Sequence, residues 1–138
     1  MIEYVRKTAD GRLEVGSAGI IQRYDETLAH FLNRLSYRRL TTLAGAVEAA
    51  RRQFGIRTRT PIYLGDDAFF LPLVGLRSPD CLLINHFAVV CVIRSNGSGA
   101  VIRFHSGMAL IVPSQAILMR QRKLAERMLE RLNGWRGR

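Results

Sequence analysis

The chain has 138 residues, 48% of them hydrophobic, which fits one globular domain over residues 1–138 and excludes an intrinsically disordered chain. Its formal net charge of +10, with nineteen Arg among its 21 cations, makes nucleic acid the expected partner. The longest apolar run, 81–93, is too short for a membrane span, which needs roughly 20 residues.

The N-terminal half begins with a pattern of alternating apolar and polar residues that predicts a β-hairpin turning at Asp10-Gly11. Residues 16–19 are predicted to be a loop. Asp25 is a candidate cap for a first helix, and Gly55 is typical of the residue that ends a second one. The predicted elements of this half are strands 2–7 and 13–15 and helices 25–35 and 43–54.

The second half changes to the short apolar runs of a sheet. A near-continuous run at 82–93, rich in β-branched residues, predicts one central strand, and Asn96-Gly97 and Ser106-Gly107 predict hairpin turns. Pro113-Ser114 opens a last helix that Asn133-Gly134 is predicted to end. The other predicted strands are 61–64, 68–73, 100–105 and 108–112. The predicted fold class is α+β, an antiparallel β-sheet or partly open barrel with two to three helices.

Positive charge concentrates in two segments. From Arg34 to Arg59 seven Arg face only Glu48, and six of these charges have no local acidic partner, so we predict the DNA-binding surface there. From 113 to 138 seven cations face two Glu, and the i,i+4 spacing of opposite charges favours a solvated, partly self-paired helix face. The predicted DNA-binding residues are Arg34, Arg38, Arg39, Arg51, Arg52, Arg57, Arg59 and, from the second half, Arg77.

Cys81, His86 and Cys91 have a spacing that suggests a zinc site or a Cys–His nucleophile, with His105 nearby in the sequence. In one continuous strand, however, His86 points away from both cysteines, which lie roughly 33 Å apart. We therefore expect no metal, no cofactor and no catalytic residue, and we expect that the protein is not an enzyme.

The basic helices also permit a helix-turn-helix or a protein-binding role. The consecutive helices of residues 25–54 could form a helix-turn-helix. Recognition helices read bases from their N-terminal part, but Arg51 and Arg52 lie at the C-terminal end of the second helix. The chain could instead be a non-enzymatic protein-interaction module that binds an acidic partner through its basic helices.

One stretch, from Pro61 to His86, reads P-I-Y-L, a short acidic turn, F-F-L-P-L and then L-R-S-P-D-C-L-L-I-N-H. It is preceded by S-Y-R-R at 36–39 and followed by F-H-S-G at 104–107 and V-P-S at 112–114. In order and spacing these segments, over roughly residues 34–129, resemble the competence transcription factor (ComK) family. The chain departs from that pattern by one extra residue between Arg77 and Pro79, by the lack of a glycine in S-Y-R-R and by a longer helix at 42–54.

The resemblance implies an activator of DNA-uptake genes in a Gram-positive bacterium, which binds A/T-rich double-stranded DNA largely from the minor groove as a homodimer or higher homo-oligomer. Arg inserts well into narrow A/T minor grooves because their negative potential is enhanced. The resemblance also implies structural roles for Cys81 and for His86, the latter beside the Arg77 loop. Longer members carry a C-terminal extension associated with control by an adaptor and a protease, and a chain that ends after its last helix argues against such control.

The expected location is the cytoplasm, with no membrane association. The first residues are charged from Glu3 onward and contain no apolar core, so we expect no secretory signal. Two cysteines without an export signal indicate a reducing compartment.

Overall fold

A computed structural model describes residues 1–136, which form two antiparallel sheets and three α-helices. The elements in chain order are β1 (Ile2–Lys7), β2 (Leu13–Ser17), β3 (Ile20–Tyr24), α1 (Leu28–Tyr37), α2 (Leu43–Phe54), β4 (Ile62–Tyr63), β5 (Phe69–Val74), β6 (Leu82–Asn85), a 3-10 turn (His86–Ala88), β7 (Val89–Arg94), β8 (Ala100–Phe104), β9 (Ala109–Val112) and α3 (Gln115–Arg136). The predicted α+β class is confirmed.

The larger sheet has six strands in the order β3-β2-β1-β6-β5-β4. The predicted hairpin at Asp10-Gly11 joins β1 to β2, and Gly11 takes the left-handed conformation (φ 81°) that such a turn needs. The prediction missed β3, which pairs with β2 after a turn at Ala18-Gly19. Its residues are exposed or half-buried, so this edge strand lacks the alternation by which a strand is recognised.

Both faces of this sheet are covered, which explains why β5 is apolar throughout and β6 is apolar up to Asn85. On one face Val5, Val15 and Leu83 pack against Phe31 and Leu32 of α1, and the first half of α2 adds to this cluster. On the other face the second sheet and α3 form the cover. That side of the core consists of Tyr4, Leu82 and Ile84 with Ile102, Phe104 and Leu118, and of Phe69 and Leu71 with Ala125 and Met128.

The prediction of one central strand at 82–93 is wrong. The chain leaves the large sheet at Asn85, makes the 3-10 turn and enters the second sheet, whose order is β7-β8-β9. Asn85 is fully buried, and its side-chain oxygen accepts hydrogen bonds from the Phe69 N–H (3.1 Å) and the Phe87 N–H (3.2 Å). The amide thus satisfies the backbone where the strand ladder is interrupted, which allows one apolar run to serve two sheets.

The helix termini differ from the predictions at two places. Thr27, not Asp25, caps α1, since its hydroxyl oxygen accepts a hydrogen bond from the His30 N–H (3.1 Å). Gly55 ends α2 as predicted, with φ 66°. Asn133-Gly134 does not end α3, which runs on to Arg136, because Gly134 keeps the helical backbone instead of turning left-handed.

The other turns are as predicted. Asn96-Gly97 lies in the connection between β7 and β8, and Ser106-Gly107 lies between β8 and β9. No helix within residues 1–136 is long and apolar enough to cross a membrane.

Candidate nucleic-acid interface

The first wall of the candidate site is one face of α2. Thr42 caps this helix through a hydrogen bond from the Gly45 N–H to its hydroxyl (2.9 Å), and Asn33 of α1 accepts the Leu43 N–H (2.9 Å), so the start of α2 is fixed to α1. Four-residue spacing then places Leu43, Val47 and Arg51 on the same side of the helix. This side carries apolar residues near its beginning and a guanidinium at its end.

The second wall is the segment Arg57-Thr58-Arg59-Thr60, which follows the glycine that ends α2. Arg59 has a left-handed backbone (φ 46°), and its carbonyl accepts a hydrogen bond from the Gln121 side-chain amide (2.7 Å). The same amide donates to the Pro72 carbonyl (3.0 Å), so α3 holds the segment against β5. Arg51 Nε donates to the buried Thr60 hydroxyl (3.2 Å), which ties the segment back to α2.

These two walls enclose an open groove of about 1070 Å³, which we call the basic groove. Four of its lining residues are arginines, and the fourth of them, Arg77, comes from the loop after β5. Leu43, Val47 and Leu76 are among its apolar lining residues. The arginines of the basic groove are Arg51, Arg57, Arg59 and Arg77.

The basic groove has a strong excess of positive charge. Glu48 is the acidic residue among its lining residues, and Glu48 already forms a salt bridge with Arg52 (2.9 Å). Arg57 and Arg77 are exposed, and within residues 1–136 neither side chain donates a hydrogen bond to the protein. Guanidinium donors that remain unpaired in a groove are available to phosphate oxygens and to base edges.

Four of the eight predicted arginines do not line this groove. Arg34 pairs with Glu26 (2.6 Å) and lies over the Phe31 ring (5.1 Å). Arg39 pairs with Asp67 (2.7 Å), while Arg38 is exposed and lines, with Arg39, a separate smaller cavity. The fourth of them is Arg52, in its bridge to Glu48.

Six charges of this segment have no acidic partner within it, but Arg34 and Arg39 find carboxylates elsewhere in the fold. Glu26 and Asp67 lie outside the segment in the sequence but next to it in the fold. Charge counting within a window detects only partners that are close along the chain, and these two pairs span eight and 28 residues.

Sequence reasoning missed the polar residues that position the groove. Gln121 lies in the apolar stripe of α3 and is 4% exposed. Its position in the sequence is that of a core residue, although its side chain is an amide. A buried amide in an apolar stripe is itself a signal, because such a group needs hydrogen-bond partners. Asn33, which lines the groove and holds the start of α2, is likewise marked by no motif.

The charges of α3 are arranged differently from the prediction. Among its described side chains no ion pair within 4.0 Å joins two residues of this helix, so the expected self-pairing is wrong. Arg131 instead donates to the Gln53 carbonyl (3.2 Å) and lies over the Phe54 ring (5.2 Å), which fastens the end of α2 to α3.

The cysteines and His86 are separated by the break after β6. Cys81 is buried, and burial raises the pKa of its thiol to about 11, which disfavours the thiolate that a nucleophile needs. Cys91 lies on β7 of the second sheet and is exposed. In the described part of the chain, no three His, Cys, Asp or Glu side chains lie together as metal ligands would.

His86 packs against the rings of Phe69 (6.1 Å between centroids) and Phe87 (6.0 Å), near Arg122 and Glu126 of α3. Its Nδ1 is buried and has no hydrogen-bond partner among residues 1–136. Burial lowers the pKa of the imidazole, and the neighbouring Arg122 guanidinium lowers this pKa further. The ring therefore contributes to the contact between the break after β6 and α3.

Comparison of the chain with protein-family models, with curated proteins and with solved structures found no match. The candidate function therefore rests on the residues of the basic groove and on the resemblance of the sequence segments.

Proposed function

We propose that this chain is a DNA-binding transcription regulator that holds A/T-rich duplex at the basic groove. The observation that carries the proposal is the set of four guanidiniums around one groove, opposed by a single carboxylate that is already paired. Arg favours phosphate oxygens and narrow, electronegative minor grooves, because its fork of donors is planar and permanently charged. The competence-factor resemblance agrees with this partner and adds activation of DNA-uptake genes to the proposal.

We extend the proposal to a homodimer or higher homo-oligomer in the cytoplasm. Self-association is supported by the outer face of the second sheet, where Ile93, Val101 and Ile111 stand in one cross-strand row and the Ile111 side chain is 76% exposed. Exposed apolar groups that lie together are typical of contact surfaces. Both cysteines are free, as expected in a reducing compartment.

The test compares DNA with a purely acidic polymer. Fluorescence anisotropy is measured with a labelled A/T-rich duplex and with labelled poly-glutamate of equal total charge, at the same salt concentration. We expect the duplex to bind at least about tenfold more tightly, because the guanidinium forks fit phosphates and groove edges as well as charge. Equal or tighter binding of poly-glutamate would instead support a module for an acidic protein partner.

A further inference from the structure

Leu40, in the loop between α1 and α2, combines two features that proteins usually avoid. Its side chain is 96% exposed, so it packs against nothing in the chain. Its backbone is left-handed, with φ 58°, a conformation that is strained for a residue that carries a side chain. The leucine side chain stabilises nothing in the fold and strains the backbone that carries it, which points to a role outside folding.

The left-handed backbone belongs to the end of α1. The Thr41 N–H donates to the Ser36 carbonyl (3.2 Å) and the Leu40 N–H donates to the Tyr37 carbonyl (3.1 Å), so the chain closes the last turn of the helix at Leu40. Glycine is the usual residue at such a position. Glycine would make the same turn without strain, and the leucine side chain is therefore dispensable for the turn itself.

The position of this loop relates Leu40 to the basic groove. The residues on either side of the tip, Tyr37 and Thr42, both line the groove. Arg38 and Arg39, directly before Leu40, are exposed, and Tyr37 is 61% exposed. An apolar tip thus stands at the rim of a strongly cationic groove, where a polyanion is the favoured partner.

We propose that Leu40 is an apolar wedge that enters the minor groove of the bound duplex and partly unstacks one base step. The proposal rests on the proposed function. Apolar side chains used in this way spread the base pairs and kink the duplex, at an unstacking cost that the surrounding contacts offset. Pyrimidine–purine steps such as T-A unstack most easily, so A/T-rich duplex suits both the wedge and the arginines. Arg38, which is exposed, then stands beside the wedged step.

The experiment uses the full chain and the variant Leu40→Gly. An A/T-rich duplex carries a fluorescent purine analogue at a central T-A step, and its fluorescence rises when the step unstacks. We expect the wild type to raise the fluorescence on binding. We expect Leu40→Gly to abolish the rise and to weaken binding about tenfold, while its thermal stability is equal to or above that of the wild type, since glycine relieves the strain.

Two further variants keep the result interpretable. Leu40→Asn replaces the apolar group with a polar one that tolerates the left-handed backbone, and should behave as Leu40→Gly does. Ile21→Ala removes another exposed apolar side chain, on the edge strand β3 and outside the basic groove, and should bind and unstack as the wild type does.

The wedge is refuted if the wild type binds the duplex without raising the fluorescence. It is also refuted if Leu40→Gly and Leu40→Asn bind and unstack the duplex as the wild type does. In both cases the proposed function of DNA binding still stands. If the wild type binds no duplex, the proposed function fails and the wedge fails with it.

Discussion

Replacing Arg57 and Arg77 together by Ala is expected to weaken binding of A/T-rich duplex roughly 100-fold at about 0.1 M salt, and to lower the salt slope of binding by about 2. Each guanidinium that contacts a phosphate releases counterions from the DNA, and the release contributes most at low salt. Both side chains are exposed in the basic groove and have no hydrogen bond to the rest of the described chain, so their loss should leave the fold intact. The measurement is a series of anisotropy titrations over a range of salt concentrations.

The control removes the same number of charges from elsewhere. Arg12 lies in the turn between β1 and β2, and Arg127 lies on the exposed side of α3; neither lines the basic groove. The double variant Arg12→Ala/Arg127→Ala has the same net charge as the groove variant, and its salt slope should differ much less from that of the wild type. If the two double variants lose affinity equally, binding depends on overall charge and the basic groove is not the site.

Replacing Asn85 by Ala is expected to lower the free energy of unfolding by about 4 kcal/mol. The Asn85 amide accepts from the Phe69 and Phe87 N–H groups and donates to the carbonyls of Ile2 (2.7 Å) and Asp67 (2.9 Å). Removal of the side chain leaves these buried or partly buried groups without their partner, and such groups cost about 1–3 kcal/mol each. Urea unfolding followed by circular dichroism measures the effect.

Asn96→Ala is the matched comparison, because Asn96 is exposed in the connection between β7 and β8. Its loss should change the unfolding free energy by no more than about 0.5 kcal/mol. A loss below about 1 kcal/mol for Asn85→Ala would contradict the assignment of the strand break to this amide.

Local chemistry made part of the fold predictable from the sequence. The turns at Asp10-Gly11, Asn96-Gly97 and Ser106-Gly107 depend on residues that adopt positive φ at little cost. Two or three residues are therefore enough to recognise such a turn in the sequence. The end of α2 at Gly55 has the same origin. The α+β class followed from these local features and from the apolar periodicities between them.

Features that depend on distant contacts were not predictable in this way. The run 82–93 is apolar enough to form one strand, and only the fold reveals that Asn85 finds partners at Ile2 and Asp67. Asn85-His86 is the one polar pair within that run. Two polar residues inside an otherwise buried strand are a reason to predict that the strand ends there. The edge strand β3 has no buried face and therefore no periodic signal.

The sequence predicts that arginines form the candidate site, but it does not predict which arginines meet there. Arg51, Arg57 and Arg59 are close in sequence and meet in the basic groove, and Arg77 joins them from the second half of the chain. Arg34 and Arg39 are equally cationic, yet each pairs with a carboxylate from another part of the chain. Gln121 holds Arg59 from α3, across 62 residues, and no local pattern encodes such a contact.

The central claim, that the chain binds A/T-rich duplex through the arginines of the basic groove, is tested most directly by the dissociation constants of the wild-type chain for two duplexes. An A/T-rich and a G/C-rich duplex of equal length are compared at about 50 mM and about 200 mM salt. We predict tighter binding of the A/T-rich duplex at both concentrations. We also predict a loss of affinity of roughly 100-fold between them, because four guanidiniums at phosphates give a salt slope of about −3.6. Equal affinity for the two duplexes, or an affinity that salt leaves unchanged, would contradict the claim.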